Sequence, residues 1–166
     1  MFRKKASNPC FVYYFQGIPG SGKTTLAKYV RNKLRDMKVP CALVDDEVWM
    51  HLTLKHRIEF LGMLREDYQI IIITSVTPPH PEYGIDRCII VEEDEDVAKR
   101  RHYDVERFGE DTKKDPQWKE YERWWKPWQE YTRKKYANYL IEEKTVAKRY
   151  KELYQDVLSI DLAKLP

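Results

Sequence analysis

Four short stretches of this chain are apolar at nearly every position: CFVYYFQG (10–17), CALVDD (41–46), IIIITS (70–75) and RCIIV (87–91). They are rich in β-branched and aromatic residues. A strand with one wet face alternates, whereas a strand covered on both faces reads as an unbroken apolar run, which is the mark of a parallel sheet between helical layers. Lys23–Met37 and Glu47–Glu66 have the spacing and length of helices. A long polar helical region, Glu95–Tyr136, follows, interrupted near Gly109 and at Asp115–Pro116. NYLI (138–141) reads as a fifth strand and Thr145–Leu158 as a closing helix. Strands alternating with helices predict an α/β fold in three layers, α/β/α, around a mostly parallel sheet of about five strands. One connection is unusual. Between Ser75 and Asp86 runs TPPHPEYG, with three prolines and no room for a proper helix. A parallel crossover normally takes about a dozen residues or more, usually helical.

The chain has 166 residues, 42% of them hydrophobic and 34% charged. That is enough for one domain with a real core, so 1–166 is read as a single unit. No apolar run approaches the roughly 20 residues of a membrane span. The start, MFRKKASNPC, is basic but leads into no signal-peptide core, so a cytoplasmic protein is expected, with no membrane partner. Net charge is only +3, which argues against an overall polycation. Between Lys113 and Lys151, 12 Lys and Arg face 6 Asp and Glu. This local excess reads first as a solvated helix surface, with a polyanion site as the alternative. Cys10, Cys41 and Cys88 each open an apolar run and form no CxxC. Free thiols at the strand ends away from the chemistry are expected, rather than a disulfide or metal site.

Residues 17–24, GIPGSGKT, fill the pattern G-x-x-x-x-G-K-[ST] between a strand and a helix. Gly17, Gly20 and Gly22 let the backbone around Ile18, Pro19 and Ser21 turn, so that successive N–H groups converge on phosphate oxygens. The positive end of the following helix adds to the attraction. Lys23 is placed to reach the β- and γ-phosphates, Thr24 to ligate Mg²⁺, and Thr25 to continue the loop into the helix. ATP and Mg²⁺ are therefore the expected cofactors.

Ligands of open α/β sheets gather at the carboxyl ends of the strands. The second strand ends in Asp45-Asp46-Glu47, where a carboxylate can take a proton from an attacking hydroxyl or assist the Mg²⁺ shell. Asp46 is the candidate base and Asp45 the candidate metal group, with the reverse order left open. The competing reading is that Asp46 merely caps the next helix. The strand IIIITS ends without the acidic residue many P-loop NTPases carry there, and no NKxD motif is visible. Both absences favour a small-molecule kinase over a motor or GTPase.

GIPGSGKTTLAKYV, LVDDEVW and IIIITSVTPP together resemble the small P-loop kinases, including adenylylsulfate and uridine kinases. RRHYDVERFGED, ERWWKPWQEY and KKYANYLI are similar to the uridine kinase and phosphoribulokinase group. The resemblance implies a P-loop kinase fold with a helical lid over about 95–115, followed by an aromatic helix over about 116–136. It also implies lid arginines that clamp phosphate. By position these are Arg100, Arg101 and Arg107, with Arg101 and Arg107 stabilising charge on the transferred group. Only Val48–Gln69 separates the second and third strands, so there is no hairpin insertion of the kind that grips a nucleoside.

The expected activity is transfer of the ATP γ-phosphate to a hydroxyl of a small nucleoside- or nucleotide-type acceptor. The alternatives are a hydroxyl carried by DNA or RNA, an adenylylsulfate-kinase-like reaction, and a nucleotide-binding regulator without an acceptor. Four of the five tryptophans lie in WKEYERWWKPWQEY (118–131). At 100° per residue, Trp118, Tyr121, Trp124, Trp125, Trp128 and Tyr131 share one arc of roughly 140°. Packing of that face against the kinase body is expected, with a partner or subunit interface as the alternative and one or two edge rings able to stack on a nucleotide; Arg123, Lys126, Arg133 and Lys134 are expected toward solvent and the helix kinked or restarted near Pro127.

Overall fold

The computed structural model describes residues 10–91 and 124–135. Four strands, β1 (Phe11–Gln16), β2 (Cys41–Val44), β3 (Ile70–Ser75) and β4 (Arg87–Ile90), form one sheet in the order β2-β3-β1-β4. All the pairings are parallel. β1 and β3 are buried along their whole length, and the four isoleucines Ile70 to Ile73 have no exposed surface at all. Burying side chains of this size is worth about 2 kcal/mol each, so this central pair anchors the domain.

Alternate residues of each strand feed two separate cores. Phe11, Tyr13, Phe15, Ile70 and Ile72 pack with Leu26, Ala27, Val30 and Leu34 of α1 (Lys23–Asp36). Val12, Tyr14, Ile71 and Ile73 pack on the other face with Trp49 of α2 (Asp46–Trp49) and Leu61 of α3 (Leu54–Asp67). The result is a three-layer α/β/α arrangement around a parallel sheet, with four described strands where about five were expected. The fifth strand at 138–141, the closing helix at 145–158 and the lid at 95–115 lie outside the described residues.

Two sequence expectations need correction. The single helix over Glu47–Glu66 is in fact two. The chain leaves helical geometry after Met50 and restarts at Leu54, where the Thr53 hydroxyl accepts the His56 N–H at 3.2 Å. A local cap outweighed the continuous apolar spacing. The residue capping α2 is Asp45, whose side chain accepts the Asp46 N–H; Asp46 is the first helical residue.

The β3–β4 connection runs without a helix. A short 3-10 turn, Pro81–Tyr83, drops Tyr83 into the second core, where its ring stacks on Tyr14 at 6.3 Å and meets the edge of Trp49 at 5.0 Å. Arg57 from α3 holds this plug: it donates to the Trp49 carbonyl at 2.9 Å and the Tyr83 hydroxyl at 3.1 Å. Arg65 donates to the Tyr83 carbonyl. One buried tyrosine thus does the covering work of a crossover helix. Cys41 and Cys88 are thiols that burial pushes up to about 12, and none of Cys10, Cys41 and Cys88 is in a disulfide. Among the described residues no helix is long and apolar enough to cross a membrane.

Asp86 closes the lower end of β4. Its carboxylate accepts the Val12 N–H at 2.8 Å, and its own N–H donates to the Val12 carbonyl at 2.9 Å. Burial raises its pKa, and the Val12 hydrogen bond and the nearby Arg65 and Arg87 recover only part of that. A carboxyl whose folded pKa is raised contributes stability below its unfolded pKa and loses it as pH rises through the folded value. Asp86→Asn keeps an acceptor for Val12 without the charge. Its melting temperature relative to wild type should therefore climb between pH 3 and pH 7. A gap that stays flat over that range would mean the ionised carboxylate is not strained.

Candidate active site

The loop after β1 builds an anion cradle. Gly20 and Gly22 have φ of 78° and 91°, in the left-handed region where a side chain is strained. At Gly17 the constraint is space: a Cβ would lie 2.5 Å from Ser21 Oγ and 2.9 Å from the Val91 carbonyl. No side chain caps α1 and its first turn has no acidic residue, so its leading N–H groups are left for an external anion. Ile18 and Ser21 are buried, and Pro19 stands at the edge of an open cavity. Thr25 is exposed.

Lys23 leaves the head of α1 and is only 7% exposed. Burial lowers its pKa, and the carboxylates of Asp46 and Asp45 act against that. These two aspartates arrive from β2, two positions across the sheet. Three donors converge on one oxygen of Asp45: the Thr74 hydroxyl at 2.7 Å, the Asp46 N–H at 2.9 Å and the Thr24 hydroxyl at 3.0 Å. Burial pushes the Asp45 carboxyl up, but these bonds and the Lys23 charge outweigh it and hold the carboxyl below its ordinary value.

Asp46 behaves oppositely. Burial raises it above the ordinary carboxylate value, with Lys23, the Val76 N–H and the Ser75 hydroxyl pulling back and the Asp45 charge pushing further. One of its oxygens, Oδ1, is buried with no hydrogen-bond partner. Two adjacent carboxylates are therefore pushed apart by their surroundings, one with an oxygen that accepts three hydrogen bonds and one with an oxygen that accepts none. Asp45 with Thr24 offers the hard oxygen pair that Mg²⁺ takes when substrate phosphates complete its shell. Among the described residues no group of three or more His, Cys, Asp or Glu could hold a metal unaided.

Comparison with known proteins finds no matching family model and no matching curated protein. The fold does recur among solved structures. The crystal structure of APE1195 aligns at a TM-score of 0.56 and 19% identity, covering 94% of this chain and 99% of that one. The Mycobacterium tuberculosis APS kinase CysC, solved in complex with AMPPNP and APS, aligns at a TM-score of 0.47 and 16% identity, over 66% of this chain and 78% of its own. The likeness to APE1195 speaks for the fold alone.

Of the residues singled out in the sequence, Gly17 to Thr24, Asp45 and Asp46 meet at one end of the sheet. Arg100, Arg101 and Arg107 lie outside the described residues. One contributor had not been singled out. Thr74 stands at the end of β3, where many relatives of the motif place an acid, and its hydroxyl ties β3 to both aspartates: it donates to Asp45 and accepts the Asp46 N–H at 3.1 Å. The missing acid was visible in the sequence, but its neutral replacement was not recognised as functional.

The aromatic helix, described as α4 (Lys126–Lys135) with Pro127 in its first turn, also borders the site. Among the described residues the aromatic face is packed in part, with rings left at its edge. Trp125 is 6% exposed and packs on Ile18 of the phosphate loop, with Trp128 partly buried beside it and Thr132 fully buried. Trp124 and Tyr131 remain 43% and 49% exposed. At 100° per residue the buried line 125–128–132 lies roughly 40–100° round from Trp124, so the aromatic arc is wider than the contact it makes.

The Thr74 linkage can be tested by stability. Thr74→Val keeps the shape and removes the hydroxyl, leaving the Asp46 N–H and Asp45 short of a partner. It should cost about 1–3 kcal/mol in urea denaturation, with Thr74→Ser costing much less. Equal losses would assign the effect to the methyl group.

Proposed function

We propose that the protein is an ATP-dependent kinase that transfers the γ-phosphoryl group to an alcohol hydroxyl of a nucleoside- or nucleotide-type acceptor. The observation that carries this reading is the unpartnered Oδ1 of Asp46, buried beside Lys23 at the mouth of the phosphate loop. A nucleotide cradle alone would serve a hydrolase or a regulator equally well. A partly desolvated carboxylate with a spare acceptor, its pKa raised by burial, is suited to taking the proton of an alcohol.

In the reaction the acceptor hydroxyl donates its hydrogen bond to Asp46. Its oxygen attacks the γ-phosphorus in line while the bond from phosphorus to the β,γ-bridging oxygen breaks. The proton passes to Asp46 and ADP leaves. Lys23 and the loop N–H groups hold the phosphate oxygens, so that most of the rate comes from positioning and electrostatic stabilisation. Mg²⁺, held by Thr24 and Asp45 with the nucleotide phosphates, would neutralise charge on the transferred group. Arg100, Arg101 and Arg107 are assigned the same task from the lid side.

Labelled ATP and a panel of alcohols test this. Wild type should label at least one alcohol. Lys23→Ala should lose both nucleotide binding and transfer. Asp46→Asn should bind ATP normally and transfer at least 100-fold more slowly. Label appearing only as inorganic phosphate across the panel, or full activity in Asp46→Asn, would overturn the assignment.

A further inference from the structure

The backbone ladder between β1 and β3 ends where the Gly17 N–H donates to the Ser75 carbonyl at 3.1 Å. Past that rung β1 gives way to the phosphate loop, and side chains of β1 take over the pairing. Gln16 Nε2 donates to the Val76 carbonyl at 2.9 Å, and the Tyr14 hydroxyl donates to the Thr77 carbonyl at 2.8 Å. The carbonyls of Ser75, Val76 and Thr77 are thus held, one after another, by a single strand and the glycine that follows it. The turn also closes on itself. Ser75 Oγ accepts the Thr77 N–H at 3.1 Å and lies 2.8 Å from Thr77 Oγ1.

Gln16 is destabilising where it stands. It has no exposed surface, and its Oε1 is buried without a hydrogen-bond partner. A buried amide with one end unpaired is less stable than a well-packed apolar side chain of similar length. Val12 and Tyr14, which precede it on the same face of β1, belong to the apolar second core. What the amide adds there is the bond to Val76. Tyr14 is built the same way: its ring is fully buried against Trp49 and Tyr83, while its hydroxyl reaches the turn.

The middle residue of the turn gives the grip its purpose. Val76 is buried and lines a cavity of about 430 Å³ together with Asp46, Met50 and Pro19. Burial raises the pKa of Asp46, and the Val76 N–H is among the groups that pull it back. Val76 is therefore a wall of the cavity and a neighbour of the base at once. Its carbonyl is tied to the residue directly before Gly17, so the wall and the phosphate loop move as one body. That fixes how far an acceptor at the wall stands from the γ-phosphate. A misplacement of about 1 Å can slow such a transfer by about 10²-fold.

We infer that Gln16 and Tyr14 are positioning residues for phosphoryl transfer, locking the turn 75–77 to β1 and so holding Val76 at a fixed distance from the phosphate loop. Neither touches the reacting atoms. This rests on the phosphotransfer reading above and goes beyond it, because it names what aligns the acceptor against competition from water. When Val76 shifts, an alcohol is misaligned at Asp46. Water needs no wall to orient it and still attacks the γ-phosphorus, giving ADP and inorganic phosphate. The share of ATP lost to hydrolysis then rises.

The test uses the full chain with labelled ATP, Mg²⁺, and the common ribonucleosides and their 5′-monophosphates as acceptors. One reaction yields both the label carried to an alcohol and the label released as inorganic phosphate. Tyr14→Phe keeps the ring and removes the hydroxyl; Gln16→Met keeps the length and removes the amide. Each should lower kcat for transfer by roughly 10-fold or more, and the ratio of transfer to hydrolysis by a similar factor, with Kd for ATP held. Ile72→Val trims a buried side chain on the opposite face of the sheet and controls for lost stability alone. Its ratio should equal that of wild type. A wild-type ratio in either Tyr14→Phe or Gln16→Met, whether or not total turnover falls, would overturn the positioning role of that residue. The same result in both would overturn the inference and leave the phosphotransfer reading standing. A wild type that labels none of these acceptors would overturn the two together.

Discussion

A lysine ammonium held almost out of water needs opposite charge nearby, and the rest of this site follows from supplying it. Lys23 is fixed at the head of α1 because the phosphate loop fixes the backbone there. Its burial is tolerable only while Asp45 and Asp46 face it. The same burial that threatens Lys23 desolvates the aspartates, and the protein resolves the conflict unequally. Asp45 receives three hydrogen bonds and stays ionised with ease; Asp46 receives fewer and is pushed toward the protonated form.

The parallel order β2-β3-β1-β4 makes this meeting obligatory. β1 delivers the loop and Lys23, and β2 delivers the two carboxylates, but β3 lies between them. Whatever residue ends β3 must therefore mediate. A threonine there donates to one aspartate and accepts from the backbone of the next, so it orients both without adding charge. An acid at that position would have set a third negative charge against a pair that already repels. The neutral end of β3 is thus consistent with both carboxylates having come from β2.

Economy on the other side of the site has a similar logic. Tyr83, pinned by Arg57 and Arg65, covers the second core where a crossover helix would otherwise lie. With little bulk between β3 and β4, the space beyond Val76 is free for a wall brought from far along the chain. The aromatic helix provides that wall, and it is anchored to the phosphate loop through Trp125 and Ile18.

The sequence by itself determined the four described strands, the phosphate loop and the described part of the aromatic helix. Each depends on contiguous residues: an apolar run covered on both faces, a glycine-spaced turn, a helical stripe. It also marked the doublet Asp45-Asp46, because a strand end followed by acids is a local pattern. The division of labour within that doublet was decided by tertiary structure, since Thr24 and Thr74 are distant in the chain and become neighbours only through strand order. The break between α2 and α3 turned on whether Thr53 would cap, which the longer periodicity concealed. Periodicity placed six aromatic rings on one arc and could not say how much of that arc would find a partner. Trp125 and Trp128 lie on the side of the helix that meets the body, whereas Trp124 lies at its margin. That difference of roughly 100° around one helix separates a packing residue from one exposed beside Asp46.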